Sequence, residues 1–473
     1  MIVHRLLPAA CACLLLACAA GPTYQPPVLE LPPGWKLQAP WRAGQPGDAA
    51  PKGAWWSVFG DAGLDALEQQ AMANSPTLAL AQARLAQARA ALALTSAGLL
   101  PQVAVNARPA RQRISANRPL SNYASPNFST VQNDFGLSMT VSYEADLAGR
   151  VQQAVAGAQA SAEQSVADLE NTRLVLGAEL ALNYFNLRAT DAELDVLARS
   201  IASQRRALEL MTARYELGAA SGLDLAQQQT LLETTRVQLE LLKRQRAQFE
   251  HAMATLTGSA APLFGLPADG REALPPPVPL GVPSDLLQRR PDIAAAERAM
   301  AAANAQIGVA SAAFYPSIML GSALGLDSRD LATLLEAPSL LWSLGLSATQ
   351  TLFDAGRTRA GVDFASAGYG AALANYRRVV LLAMQEVEDG ISGIAALESA
   401  ALQARAAREA ARRSFEMTLA RYEGGASSYL EVLTAQQALL ASERQTVQLS
   451  GQRLVASVLL IKALGGDWHS VAK

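Results

Sequence analysis

The chain has 473 residues, 50% of them apolar and 17% charged, with 39 Lys and Arg against 41 Asp and Glu. So large an apolar share excludes a disordered chain, and a net charge of −2 lacks the basic excess of a dedicated nucleic-acid binder, so no nucleic-acid partner is expected. The three cysteines all lie within the first 18 residues, the histidines His4, His251 and His469 are far apart, and no HExxH, GxSxG, Walker or GxGxxG pattern occurs, so no enzyme, metal site or cofactor is expected.

Residues 1–17 carry His4 and Arg5 and then an apolar run from Leu6 to Ala17. The run is too short to cross a bilayer and reads as a signal peptide. It ends in Leu15-Leu16-Ala17-Cys18, which resembles the bacterial lipobox, with Leu three residues before the lipid-accepting thiol and a small residue just before it. Cys11 has Pro8 at that third position and Cys13 has Ala10, so Cys18 is the expected lipidation site. Ala19 replaces the Asp that holds many lipoproteins at the inner membrane, which points to the outer one. Residues 18–61 are expected to form a lipidated, extended N-terminal segment.

Beyond this segment the chain repeats itself. Ala213-Arg214-Tyr215-Glu216 recurs as Ala420-Arg421-Tyr422-Glu423, an offset of 207, and Gly149-Arg150, Glu179 and Gly258 recur as Gly356-Arg357, Glu386 and Gly465. The expected organisation is a first repeat over 62–258, a Pro/Gly-rich connector over 259–283, a second repeat over 284–465 and a tail over 466–473. Each repeat reads as helix, strand, loop, strand, very long helix, tight turn, helix. Residues 75–100 and 286–315 read as helices that end before a proline. The long helices are expected over 147–217 and 354–424, introduced by Asp146 and Asp354 as caps. Return helices follow over 222–258 and 428–464. At ~1.5 Å per residue the long helices would extend ~107 Å, matched by pairs of shorter helices end to end, which predicts a rod.

Between the helices the hydrophobic period falls to two. Phe135, Leu137, Met139, Val141 and Tyr143 alternate with Asp134, Gly136, Ser138, Thr140, Ser142 and Glu144. Trp342, Leu344, Leu346 and Ala348 alternate with Ser343, Gly345, Ser347 and Thr349, and 102–107 and 316–326 behave alike. Strands with one apolar and one small or polar face suit a membrane β-barrel, and the lipobox favours that reading over a half-buried soluble sheet. The uncharged run 299–326 contains Asn304, Gln306 and Pro316, and reads as a helix passing into a strand rather than as a membrane helix. Four strands cannot close a barrel, and open sheet edges are not tolerated in lipid, so the chain is expected to oligomerise.

Several motifs carry a family resemblance. Cys18, Gly21-Pro22, Tyr24 and Pro26-Pro27 form the lipidated start, and Trp55-Trp56, Phe59, Asp61, Leu64, Leu67 and Asn74 the opening motif. The run from Pro283 through Gln288-Arg289-Arg290-Pro291-Asp292-Ile293, Ala303-Asn304-Ala305-Gln306-Ile307-Gly308 and Phe314-Tyr315-Pro316-Ser317-Ile318 is the most specific. Over nearly all of the mature chain the sequence resembles the TolC-like outer-membrane factors, in particular the lipoprotein branch of NodT/OprM type. The resemblance implies a mainly α, internally duplicated fold with a membrane β part. It implies a homotrimer whose twelve strands form one barrel, continued by a periplasmic α-helical tunnel. It implies a passive exit duct for small molecules such as drugs, without cofactor, working with a periplasmic adaptor (membrane fusion) protein and an inner-membrane transporter, often of the RND class.

The same resemblance assigns adaptor contact to the tip turns, with Gly218, Ala219, Ser221 and Gly222 on the first hairpin and Gly424, Gly425, Ser427 and Ser428 on the second. The second turn lacks the aspartates that often ring the aperture in this family, leaving Arg421, Tyr422, Glu423 and Glu431 as aperture candidates, with the first hairpin in support. Asp191, Glu193 and Asp195 read as a solvated helix face in preference to a cation site. An outer-membrane duct for type I secretion of a protein or peptide would have the same fold and is the alternative reading.

Overall fold

The computed structural model describes residues 21–27, 32, 34–36, 53–116, 130–269, 275–276 and 289–466. A 3₁₀ turn at Trp55–Phe59 leads into α1 (Ala62–Asn74), α2 (Pro76–Ser96), β1 (Gln102–Ile114), β2 (Thr130–Ala145), α3 (Arg150–Glu216) and α4 (Gly222–Leu256). The order then recurs as α5 (Pro291–Ala312), β3 (Ser317–Ser328), β4 (Leu340–Thr349), α6 (Arg357–Glu423) and α7 (Tyr429–Ala463). Helices α3 and α6 have 67 residues each and α4 and α7 have 35 each. At ~1.5 Å per residue a 67-residue helix is ~100 Å long.

Backbone conformation follows the sequence repeat. Left-handed glycines occur in pairs one repeat apart: Gly149 and Gly356 before the long helices, Gly218 and Gly425 in the tight turns, Gly258 and Gly465 after the return helices. Both long helices start three residues later than the sequence suggests, because the chain first passes through Gly149 or Gly356. The two aspartates cap them as expected. Asp146 Oδ2 accepts from the Gln152 amide at 2.8 Å, and Asp354 accepts from the amides of Gly356 at 3.0 Å and Thr358 at 2.8 Å. Helix α5 begins at Pro291, with Arg290 outside it, where the sequence suggested an unbroken helix from 286. It gives way to β3 between Ala312 and Ser317, and among the described residues no helix is long and apolar enough to cross a membrane.

The strands form one antiparallel sheet in the order β1-β2-β3-β4. β1 runs well past the alternating residues 102–107, to Ile114. Its extension, Arg108-Pro109-Ala110-Arg111-Gln112-Arg113, has no apolar face to betray a strand; pairing with Val131–Gly136 holds it in the sheet.

The chain divides into two compact units, each drawn from both halves of the sequence. One comprises the described parts of Met1–Pro27 with Ala86–Gln164 and Ala296–Tyr376, and holds the sheet. In it the Cβ of Ala305 would lie 3.4 Å from a Cβ placed on Gly157, and Gly308 lies hard against the Gln153 side chain. The other comprises the described parts of Val28–Leu85, Ser165–Ala295 and Arg377–Lys473. Its core includes Leu64, Leu176, Leu180, Tyr184, Phe185, Leu187, Leu197 and Met253.

Candidate functional site: a two-faced sheet and two hairpin tips

Register sorts the sheet into two faces. Leu137 is opposite Ala107 on β1 and Leu326 on β3; Met139 is opposite Val105 and Leu324, and Leu324 is opposite Trp342. This face is an apolar band interrupted by Ser322, between Val141 and Leu344, yet it is bare in the single chain, with Trp342 75% and Leu344 78% exposed. Burying such a surface is worth roughly 25 cal/mol per Å², so the bare band requires an apolar partner. The other face pairs Asn106 with Ser138, Ala104 with Thr140, Thr140 with Ala323, and Ala323 with Ser343. Phe135, Leu137, Met139 and Val141 thus share one face, and Ser138, Thr140 and Ser142 the other, as their alternation suggests.

The tip turns close by the same bonds in both repeats. Gly218 N donates to Tyr215 O at 2.9 Å and Ala219 N to Arg214 O at 2.8 Å; Gly425 N donates to Tyr422 O at 3.0 Å and Ala426 N to Arg421 O at 2.8 Å. These bonds satisfy the last carbonyls of the helix, and they need a left-handed residue, supplied by Gly218 and Gly425 at φ 74°. Ser221 caps α4 by accepting from the Leu223 amide at 3.0 Å. Ser428 and Glu431 form a capping box at the start of α7. Gly218, Ala219, Ser221, Gly222, Gly424, Gly425 and Ser428 are exposed, and Ser427 is half-buried.

The aperture candidates do not act as one set. Glu431 is engaged in the capping box, and Arg421 Nη2 donates to the turn carbonyl of Ala426 at 3.3 Å. Glu423 is exposed. Tyr422 is half-buried: its ring lies 5.2 Å from Tyr429, and the Arg214 guanidinium sits 5.5 Å from its centre. Tyr429 is buried and its hydroxyl donates to Gln228 Oε1 at 2.8 Å, with the phenol pushed up to about 12 chiefly by burial. Around them Met211, Leu231, Val432 and Leu433 close a small core that joins the two hairpins.

Gln228 and Tyr429 escaped the sequence reading, as did the reach of Arg214, on the supporting hairpin, to Tyr422. The available signal was a break in the repeat: Tyr429 corresponds to Gly222, so Tyr215 covers a glycine where Tyr422 meets a second ring.

The acidic cluster on α3 is not the solvated face that its spacing suggests. Asp191 is buried and accepts from Arg246 Nε at 2.6 Å and Arg188 Nη1 at 3.2 Å. Arg246 and Arg188 also donate to the carbonyls of Leu266 and Pro267, at 2.7 and 2.8 Å, and so clamp the connector. Glu193 is buried as well and accepts from Arg444 Nε at 2.7 Å and Gln448 Nε2 at 3.1 Å. It lines a polar recess of about 280 Å³ with Asn186, Gln245 and Gln452. Asp195 alone stays at the surface, paired with Arg199. Apart from Arg188, three residues before Asp191, the groups that bury Asp191 and Glu193 (Arg246, Arg444 and Gln448) lie 55 or more residues away in sequence, so no local pattern announces them. No group of His, Cys, Asp and Glu suited to a metal ion occurs among the described residues.

The family motifs lie at joints. Arg290 binds Asp292 at 2.7 Å, Glu386 on α6 at 2.6 Å and the carbonyl of Ala463 on α7 at 3.0 Å. Asp61 caps α1 and accepts from the Tyr184 hydroxyl at 2.8 Å, while Phe59 packs on Phe185 with centroids 4.7 Å apart. Asn304 Nδ2 donates to Pro22 O at 2.9 Å and Tyr24 OH to Glu297 at 3.1 Å, laying the N-terminal segment along α5. Gly21 lies against Gly308, one turn before α5 ends at Ala312. Cys18 itself lies outside the described residues.

Comparison with known proteins adds an independent finding. The family described as "Outer membrane efflux protein" matches residues 67–259 and 282–466. Pyoverdine export outer membrane protein OpmQ of Pseudomonas aeruginosa is 33% identical over 461 residues, covering 97% of this chain and 96% of that protein. Toluene efflux pump outer membrane protein TtgF of Pseudomonas putida is 32% identical over 470 residues, 97% of this chain and 96% of that one. The solved structure of the outer-membrane channel OprN superimposes with a TM-score of 0.87 at 27% identity, over 95% of this chain and 100% of that one.

Proposed function

Because this chain belongs to the outer membrane efflux protein family, and is an outer-membrane channel of efflux pumps with a TolC-like fold, we propose that it works as a homotrimeric exit duct. In this reading an inner-membrane transporter of the RND class and a periplasmic adaptor deliver small molecules to it. The sheet carries the proposal. It has four strands, β1 and β4 are its edges, and one face carries a bare apolar band over 103–107, 135–141, 324–326 and 340–346. A spanning sheet must close, and three copies joined edge to edge supply twelve strands, within the range of natural barrels. Bare apolar residues on the helices, such as Leu94, Phe364 and Leu381, suit packing between copies.

The cargo class rests on the relatives, one named for pyoverdine export and the other for toluene efflux. Adaptor contact is assigned to the exposed tip turns. The gate is assigned to the second hairpin around Arg421, Tyr422 and Glu423, braced by Arg214 and the Tyr429–Gln228 bond.

Lipidation at Cys18 has a geometric support. Gly21, three residues after Cys18, lies against Gly308 near the end of α5 that leads into β3, and three residues of backbone span at most ~11 Å. Acyl chains attached there would enter the membrane next to the sheet. The combined reading is tested by native mass spectrometry and planar-bilayer recording of the purified protein, with complementation of an efflux-deficient strain lacking its own duct. Trimers that conduct and restore drug resistance are expected. Monomers without conductance would overturn it.

A further inference from the structure

We propose that Asp327, set against the Arg108–Asp134 pair, gives the barrel lumen a net negative ring that makes the duct prefer cations. The inference rests on the trimeric-barrel reading. Register places Arg108 opposite Gly136 and Gly136 opposite Asp327, so the three residues straddle β1, β2 and β3 on the small, polar face. Gly136 has no side chain to obstruct the arginine, which passes within 3.9 Å of where its Cβ would be. Nη2 of Arg108 donates to Asp134 Oδ2 at 2.7 Å and stands 3.9 Å from Asp327 Oδ2.

Two carboxylates therefore share one guanidinium. Asp134, with its side chain 15% exposed, takes the hydrogen bond; Asp327, at 46%, keeps most of its field in the open. The charge left over is −1 per chain and −3 per trimer.

Around the ring the same face is uncharged. Asn106, Ser138, Thr140, Ala323, Gly325 and Ser343 continue it, with no ionisable group. The other acid of this face among the described strand residues, Glu144, is closed off by a two-pronged bond to Arg150 at 2.8 and 2.6 Å. An excess charge on an otherwise neutral wall acts without competition. A low-dielectric wall focuses such a field, which reaches ~8 Å from the ring at physiological salt. Small side chains on the wall leave the passage wide, so the ring discriminates by charge and leaves size selection to other parts of the duct.

The test is the reversal potential of purified trimers in planar bilayers under a KCl gradient. Wild type should reverse on the cation side. Asp327→Asn, close in size, should lower the K⁺/Cl⁻ permeability ratio about two-fold or more. Arg108→Gln, which uncovers the second carboxylate, should raise it. Conducting channels whose reversal potential is the same in wild type and both variants would overturn the ring. Absence of any conductance from wild type would instead overturn the duct reading on which it rests.

Discussion

Glu68 is fully buried on α1, and neither carboxylate oxygen has a hydrogen-bond partner. Burial, reinforced by the Asp65 carboxylate, pushes its pKa from 4.5 to about 9. The folded protein thus keeps a proton that the unfolded chain releases above pH 4.5. Below that value the linkage to protons adds no cost; the added cost grows as pH rises and levels off near 9. Glu68→Gln should remove this titration, with a gain on the order of 3 kcal/mol at pH 7. Denaturation curves at pH 5 and pH 8 check it: the advantage of the variant should widen with pH, and parallel profiles would show that the carboxyl is not buried neutral. Nothing in the sequence around Glu68 signals this, since on a helix of alternating Ala, Leu and Gln it looks like a surface acid. Its state is decided by Trp55 and Met72, which converge beside it at Gly177.

At the scale of elements, the sheet faces and the tip hairpin make the sharper demands. Leu137→Arg puts a charge into the apolar band and should cost roughly 2–4 kcal/mol near the membrane midplane, whereas Ser138→Arg, on the small face, should cost much less. Yields of folded trimer in detergent measure both, and equal losses would mean that the faces are misassigned. At the tip, Tyr422→Ala with Arg421→Ser removes the ring packed on Tyr429 and the bond to the Ala426 carbonyl. This pair should raise single-channel conductance and make cells vancomycin-sensitive, and wild-type conductance would place the gate elsewhere.

Most elements were legible because period and punctuation are local. Gly149, Gly218 and Gly258 recur at Gly356, Gly425 and Gly465 because each marks a place where the chain turns left-handed. The second half of β1 was not legible, since Arg108–Arg113 has no alternation and is held by its partner strand.

For the whole molecule, assembly should depend on the sheet and not on the lipid. Cys18→Ala should therefore leave trimers and conductance intact while removing the diacylglyceryl mass from the mature N-terminus. Loss of trimers in this variant would make the anchor a folding element. By itself the sequence determined the elements, their duplication, the two-faced strands and the family, because these depend on residues near one another or on a fixed repeat. Only the tertiary structure decided which charges are spent. Asp191 and Glu193, apparently solvated, are buried against Arg246 and Arg444. Glu431, a candidate for the aperture, caps α7. Arg214, assigned to a supporting hairpin, lies over Tyr422 of the other one. A charge or ring is defined by what it meets, and those partners come from helices that only folding brings together.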